Sequence, residues 1–270
     1  MKLAFTTLGC PKWNLDTIIA KAKELGYDGV DFRGYMGEIQ IYKLPEFTTR
    51  VKETAKRFAD AGLDVPCFAS SARIYAKPKE AIEEIRQYAA ICKVFNTRLI
   101  RVFGGEIKNT PSAEAVKVAA QTLKEAAPIA KDHGVKLVLE THDSWLDCQL
   151  VKSVMEAVNS PQVGVLWDVH HPYRMIDEAP EKTWAALGKW IAYTHVKDSR
   201  LKPTPPGKER DYQLCLPGDG EIPLKQIFAV LKKGGYQGYL TLEWEKQWHP
   251  DIEEPEVAFP RYVEVVRRLL

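Results

Sequence analysis

No C-x-x-C pair occurs among the five scattered cysteines, Cys10, Cys67, Cys92, Cys148 and Cys215. An odd, dispersed set argues against both a disulfide framework and a thiolate zinc site, so the thiols read as reduced and structural. No apolar run approaches the length of a membrane span, and the opening Met1-Lys2-Leu3-Ala4-Phe5-Thr6-Thr7 is too short for the apolar core of a secretion signal. A cytoplasmic protein with no membrane partner is the expectation. Charge of one sign is missing as well: 38 basic against 36 acidic side chains leave a net +2, which gives no electrostatic reason for a nucleic-acid partner. Neither G-x-G-x-x-G nor G-x-x-x-x-G-K-[ST] follows any apolar run, so the phosphate cradles of dinucleotide-binding and P-loop folds are absent.

What is present is a chain of 270 residues, 45% hydrophobic and 27% charged, long enough for one large core. Short runs rich in β-branched and aromatic residues alternate with longer stretches of helical apolar spacing. The strands are expected at Leu3–Leu8, Gly29–Arg33, Asp64–Ser70, Arg98–Phe103, Lys136–Thr141, Gly164–Val169, Ile191–Val196 and Tyr239–Trp244. Asn14 before Leu15, Ile18, Ile19, Ala22 and Leu25, with Gly26 after them, marks a capped first helix. A helix over Ser112–His133 carries Pro128, which is expected to kink or split it. Eight βα units at about thirty residues each fill about 240 residues, near the length of about 250 typical of a (β/α)8 TIM barrel. This α/β barrel is the expected fold, as a single domain over residues 1–270, with a doubly wound open sheet as the alternative. The segment Lys202–Gly220, proline-rich and then charged, is either a lid or a passive surface loop.

In a barrel the carboxyl ends of the strands open on one face, so a polar residue closing an apolar strand points at a shared site. Leu137-Val138-Leu139-Glu140, Val165-Leu166-Trp167-Asp168, Ala192-Tyr193-Thr194-His195 and Leu240-Thr241-Leu242-Glu243 close four consecutive strands in this way. Any one of these residues alone is as readily a helix cap or an ion-pair partner. Three carboxylates packed around one imidazole, however, require a cation or shifted protonation. The donor set suits one divalent metal ion, with Mn²⁺ the first candidate and Mg²⁺, Co²⁺ or Zn²⁺ compatible.

Leu139-Glu140-Thr141-His142, Trp167-Asp168-Val169-His170-His171, Thr194-His195-Val196-Lys197-Asp198, Leu242-Glu243-Trp244-Glu245 and the Gly218-Asp219-Gly220 loop together resemble the xylose-isomerase-like sugar phosphate isomerase/epimerase superfamily. That superfamily includes ketose 3-epimerases, hydroxypyruvate isomerases and inosose dehydratases. The resemblance implies that Glu140, Asp168, His195 and Glu243 bind the metal, and that Glu140 and Glu243 face each other across the substrate as catalytic proton-transfer groups. It also implies that His171 contacts substrate. Ketose epimerases carry an arginine six residues after the metal histidine; this chain has Leu201 there, with Arg200 adjacent. His142 shares strand parity with Glu140, and Lys197 with His195, so both are candidate substrate-binding residues. The alternatives are a hydrogen-bonding support role for His142 and a flexible surface position for Lys197. Trp13, Trp145 and Trp248 are candidate pocket walls, Glu245 and His249 candidates without roles, and His170 and His133 structural.

A cation that takes up oxyanion charge and two carboxylates on opposite faces permit proton abstraction next to a carbonyl. Through a metal-stabilised enediolate this yields isomerisation or epimerisation of a small sugar, ketose or cyclitol. Loss of a β-hydroxyl from the same intermediate makes the chain a lyase or dehydratase instead. A multi-zinc hydrolase would need more ligands than six histidines, two of them structural, comfortably supply. A non-catalytic sugar-binding barrel would not need the carboxylate pair. The expected partner is a small-molecule carbohydrate, with a homo-oligomer compatible.

Overall fold

Strand, turn and helix alternate as the hydrophobic pattern demands. The computed structural model describes residues 1–205, 207 and 210–270. The strands are β1 (Lys2–Thr6), β2 (Gly29–Asp31), β3 (Cys67–Arg73), β4 (Leu99–Phe103), β5 (Lys136–Glu140), β6 (Val163–Asp168), β7 (Ile191–Val196), β8 (Asp198–Leu201), β9 (Tyr212–Cys215) and β10 (Tyr239–Leu242). The helices are α1 (Leu15–Leu25), α2 (Val51–Asp60), α3 (Pro78–Phe95), α4 (Ser112–Asp132), α5 (Cys148–Val158), α6 (His171–Ile176), α7 (Pro180–Leu187), α8 (Leu224–Lys233) and α9 (Pro255–Leu269). Eight parallel strands run in the order β2-β1-β10-β7-β6-β5-β4-β3. Parallel bridges Gly29–Asp64 and Phe32–Phe68 join the two ends, so the sheet closes on itself as a (β/α)8 TIM barrel.

Punctuation in the sequence sets the first helix. Asn14 Oδ1 accepts the Thr17 N–H at 2.9 Å, and Gly26 takes the left-handed conformation, φ 75°, that ends α1. Pro128 does not split α4, which runs unbroken from Ser112 to Asp132. The Ala-rich packing face of α4, with Ala115, Ala119, Ala126 and Ala130 fully buried, holds the helix through the position where proline removes one backbone donor.

Two apolar layers follow from strand parity. The larger packs helices against the outside of the barrel. A small inner cluster joins Cys67 of β3, Val138 of β5, Leu166 of β6 and Tyr193 of β7 across the barrel axis. Side chains alternate in direction along a strand, so residues two further on from these also point inward.

The segment expected as an irregular loop at 202–220 contains structure: β8 and β9 form an antiparallel hairpin, with Asp198 opposite Cys215. Pro206, Lys208 and Glu209 lie outside the described residues, so the lid reading of that segment falls partly beyond them. Among the described residues no helix is long and apolar enough to cross a membrane.

Candidate active site and metal centre

Parity carries polar side chains from four strands to one point. Val138, Leu166 and Tyr193 face inward, and two residues later on the same strands come Glu140, Asp168 and His195. Glu243 follows β10 directly, its N–H bonded to Val196 O at 2.9 Å. The ligand atoms of Glu140, Asp168, His195 and Glu243 all lie within 4.8 Å of one another, and all four residues are buried.

His195 is the hub. Its Nδ1 lies 2.9 Å from Glu140 Oε1 and 3.2 Å from Glu243 Oε1, while Nε2 lies 3.2 Å from Asp31 Oδ2. One ring nitrogen therefore faces the cluster and the other is held by a carboxylate behind it, the arrangement by which metal-ligating histidines are oriented. Asp168 Oδ1 accepts the backbone N–H of His170 at 2.8 Å. Its Oδ2 is buried, 3.0 Å from Lys197 Nζ and 3.6 Å from His171 Nε2, yet accepts no hydrogen bond. A buried carboxylate oxygen without a hydrogen bond, converging with two glutamates and an imidazole nitrogen, fits a divalent cation such as Mn²⁺, Mg²⁺, Co²⁺ or Zn²⁺.

Charge inside this set is balanced by fixed cations. Burial raises the Glu140 carboxyl, but Arg101, 2.6 Å away through Nη1, and His195 outweigh it and hold Glu140 down at about 2. Burial likewise opposes ionisation of Glu243, but Lys197 and His195 hold it well below the usual carboxylate range. Asp168 goes the other way, to about 6, because burial and the neighbouring Glu243 and Glu140 exceed the attraction of Lys197. Lys197 is fully buried, with Glu243 Oε2 and Glu245 Oε1 each at 2.5 Å. The flexible-surface alternative for this lysine is thus overturned: its parity with His195 turns it inward.

His142 and His171 stand together above the cluster, ring centroids 4.5 Å apart, with Phe103 4.8 Å from His142. His142 Nδ1 lies 2.8 Å from Asp143 Oδ1. Burial opposes protonation of His142, but the Asp143 carboxylate overcomes it and the imidazole is raised; His171, desolvated and facing Lys197, is pushed well below its ordinary value. His170 points to Ser199 Oγ, 2.8 Å, and His133 Nδ1 lies 2.8 Å from Ile129 O at the end of α4, both structural positions as expected.

Some candidates fall elsewhere. Trp145 is fully buried, its Nε1 donating to Gly105 O, and so is no open wall, whereas Trp13, packed against Phe259, lines a cavity with Met36, Lys246, Gln247 and Pro250. Trp248 is exposed. Arg200 donates to Asp219 O in the loop between β9 and α8 and so does not stand in for the arginine missing at Leu201. Glu245 pairs with Lys197 and lies 3.4 Å from His249 Nε2.

Asp31 and Arg101 were not singled out from the sequence. The signal was there: Asp31 closes the apolar Gly29-Val30-Asp31, and Arg101 sits inside the otherwise apolar Leu99–Phe103, at inward parity. A charge in the middle of a short buried strand is as informative as one at its end.

The chain is similar to several known proteins in sequence and in fold. An inosose dehydratase of Clostridium perfringens (strain 13 / Type A) is 27% identical over 59% of the chain and 54% of its own length, so the chain spans about half of that relative. Fructoselysine 3-epimerase of Escherichia coli O157:H7 is 23% identical over 100% of the chain and 98% of its own length. The IOLI protein, whose crystal structure carries a bound zinc atom, superposes with a TM-score of 0.81 at 21% identity, covering 100% of this chain and 99% of that one. Residues 19–268 match the xylose isomerase-like TIM barrel, and the chain belongs to that family.

Proposed function

We propose that the protein is a divalent-metal-dependent isomerase or epimerase of a small sugar, ketose or cyclitol. The observation that carries this reading is the convergence of Glu140 and Glu243 on one nitrogen of His195, with Asp168 completing the donor set. Support comes from the full-length likeness to fructoselysine 3-epimerase, and for the metal from the zinc atom in the IOLI protein. Glu140, Asp168, His195 and Glu243 would hold the ion, Mn²⁺ being the first choice for a carboxylate-rich set. When bound, the ion polarises a substrate carbonyl and offsets the negative charge of an adjacent carbanion.

Everything else falls to the chain. Glu140 and Glu243 are kept ionised by Arg101 and Lys197, and so are free to accept a proton from the carbon beside the carbonyl. In isomerisation the glutamate that takes the proton returns it to the neighbouring carbon; in epimerisation the other glutamate first takes a proton from a substrate hydroxyl or the Lys197 ammonium and delivers it to the opposite face. Lys197, on Glu243 Oε2, is a proton donor adjoining that carboxylate. His142 and His171 hold substrate hydroxyls. Burial of the whole set excludes water from the intermediate.

The second reading is a lyase or dehydratase using the same groups, favoured by the likeness to inosose dehydratase. There a β-hydroxyl leaves as water once protonated, in place of the return of a proton to carbon. The test is solvent-deuterium incorporation followed by mass spectrometry, with Mn²⁺-loaded protein in D₂O and a panel of ketoses, inososes, keto-glycosides and keto-sugar acids. Carbon-bound deuterium in a product of unchanged composition is expected; loss of water from the product gives the lyase. Metal binding with no exchange across the panel overturns both.

A further inference from the structure

Two arginines close the site on its β2 and β4 side. Arg101 gives Nη1 to Glu140, but its Nε and Nη2 are buried with no hydrogen-bond partner. Arg33, two residues beyond Asp31 and only 9% exposed, has Nη1 buried in the same condition, and no carboxylate among the described residues pairs with it. Both guanidinium groups stand over the Phe103 ring, at 3.7 Å for Arg101 and 5.8 Å for Arg33 from its centroid. The row continues to His142 and His171, and His171 Nε2 is a further buried nitrogen without a partner.

A buried guanidinium left unpaired is costly, and two side by side repel. Burial and the neighbouring Arg101 together lower Arg33 to about 10. An anion from outside the chain would satisfy both groups. The surrounding charge selects its kind: Glu140, Glu243 and Asp31 already face Arg101, so the two guanidinium groups carry no surplus positive charge, which favours a monoanion held by hydrogen bonds over a dianion. A phosphate dianion would set surplus negative charge against Glu140 and Asp31. Guanidinium and carboxylate also match in planar, two-point geometry.

We propose that Arg33 and Arg101 receive the carboxylate of the substrate, so that the substrate class is a keto-sugar acid and not a neutral ketose or cyclitol. This rests on the proton-transfer reading for placing the reacting carbon beside Glu140 and Glu243. Arg33 is then the residue that sets specificity, since Arg101 is shared with Glu140.

The experiment is calorimetric titration of the Mn²⁺-loaded protein with D-fructuronate and D-tagaturonate, their neutral counterparts D-fructose and D-tagatose, and D-fructose 6-phosphate. The acids are expected to bind about tenfold or more tightly than the neutral sugars and the phosphate. Arg33→Gln is expected to bring the acid-to-neutral ratio close to one, and Arg33→Lys to keep part of it. Equal affinities in the unaltered protein, preference for the phosphate, or no binding of either acid overturns the proposal without need of a variant. Exchange of neutral ketoses in D₂O with no acid preference removes this inference and leaves the proton-transfer reading standing. Acid preference with no exchange does the reverse.

Discussion

Arg101 Nη1 lies 2.6 Å from Glu140 Oε2, and both side chains are 1% exposed. The pair ties β4 to β5 at the point where the donor set converges. Removing one member of a buried pair leaves the other charge uncompensated. Arg101→Met is therefore expected to lower unfolding free energy by about 3–5 kcal/mol, and Arg101→Lys by less. Urea denaturation checks this; a loss under about 1 kcal/mol would show that Glu140 is stabilised from elsewhere.

The contact between Asp31 and His195 Nε2 predicts a metal effect at a distance from the ion. Asp31→Asn is expected to weaken Mn²⁺ or Zn²⁺ binding by about 10–100-fold, and Asp168→Asn to weaken it further. Competition against a fluorescent chelator measures both. Unchanged affinity in Asp31→Asn would mean that the imidazole is oriented by its neighbours on the barrel.

Glu140→Gln and Glu243→Gln each retain shape and remove the proton acceptor. Either is expected to slow solvent-deuterium exchange by about 10²–10⁴-fold. Because Lys197 adjoins only Glu243 of the pair, Lys197→Met is expected to alter the pH profile of exchange more than Arg101→Lys does. Identical profiles for the two variants would count against Lys197 as a proton donor.

His170 is fully buried and is pushed well below its ordinary value by desolvation and by the cations Lys197 and Arg174. Its native form stays neutral while the unfolded chain takes up a proton below about pH 6.5. The associated stability is present above pH 6.5 and lost as pH falls from there toward the lowered native value, by up to about 1.4 kcal/mol per pH unit. His170→Gln, which can still bond Ser199, is expected to remove that slope. Unfolding curves from pH 7 to pH 5 for both proteins test this, and parallel curves would refute it.

Gly104 touches the Trp145 indole: a Cβ built there would stand 2.0 Å from two ring atoms. The ring is fully buried and bonded to Gly105 O, so it cannot retreat. Gly104→Ala is expected to cost about 1–3 kcal/mol, read from denaturant midpoints. A neutral substitution would show that the loop after β4 shifts freely.

The sequence by itself determined the alternation of strand and helix, and with it the barrel. β7 occupies the expected residues, Ile191–Val196, and the other strands of the barrel differ from expectation by a few residues at their ends. It also marked Glu140, Asp168, His195 and Glu243, because period-two alternation and the strand ends are written in the order of residues. Only the tertiary structure decided the fate of Lys197, Asp31, Arg33 and Arg101. A lysine one turn of pleat beyond a strand reads the same whether it faces water or three carboxylates, and Arg101 reads as an interruption until β5 brings Glu140 beside it. Local pattern fixes which way a side chain points; which charges meet there depends on strands about 40 to 160 residues apart closing into one ring.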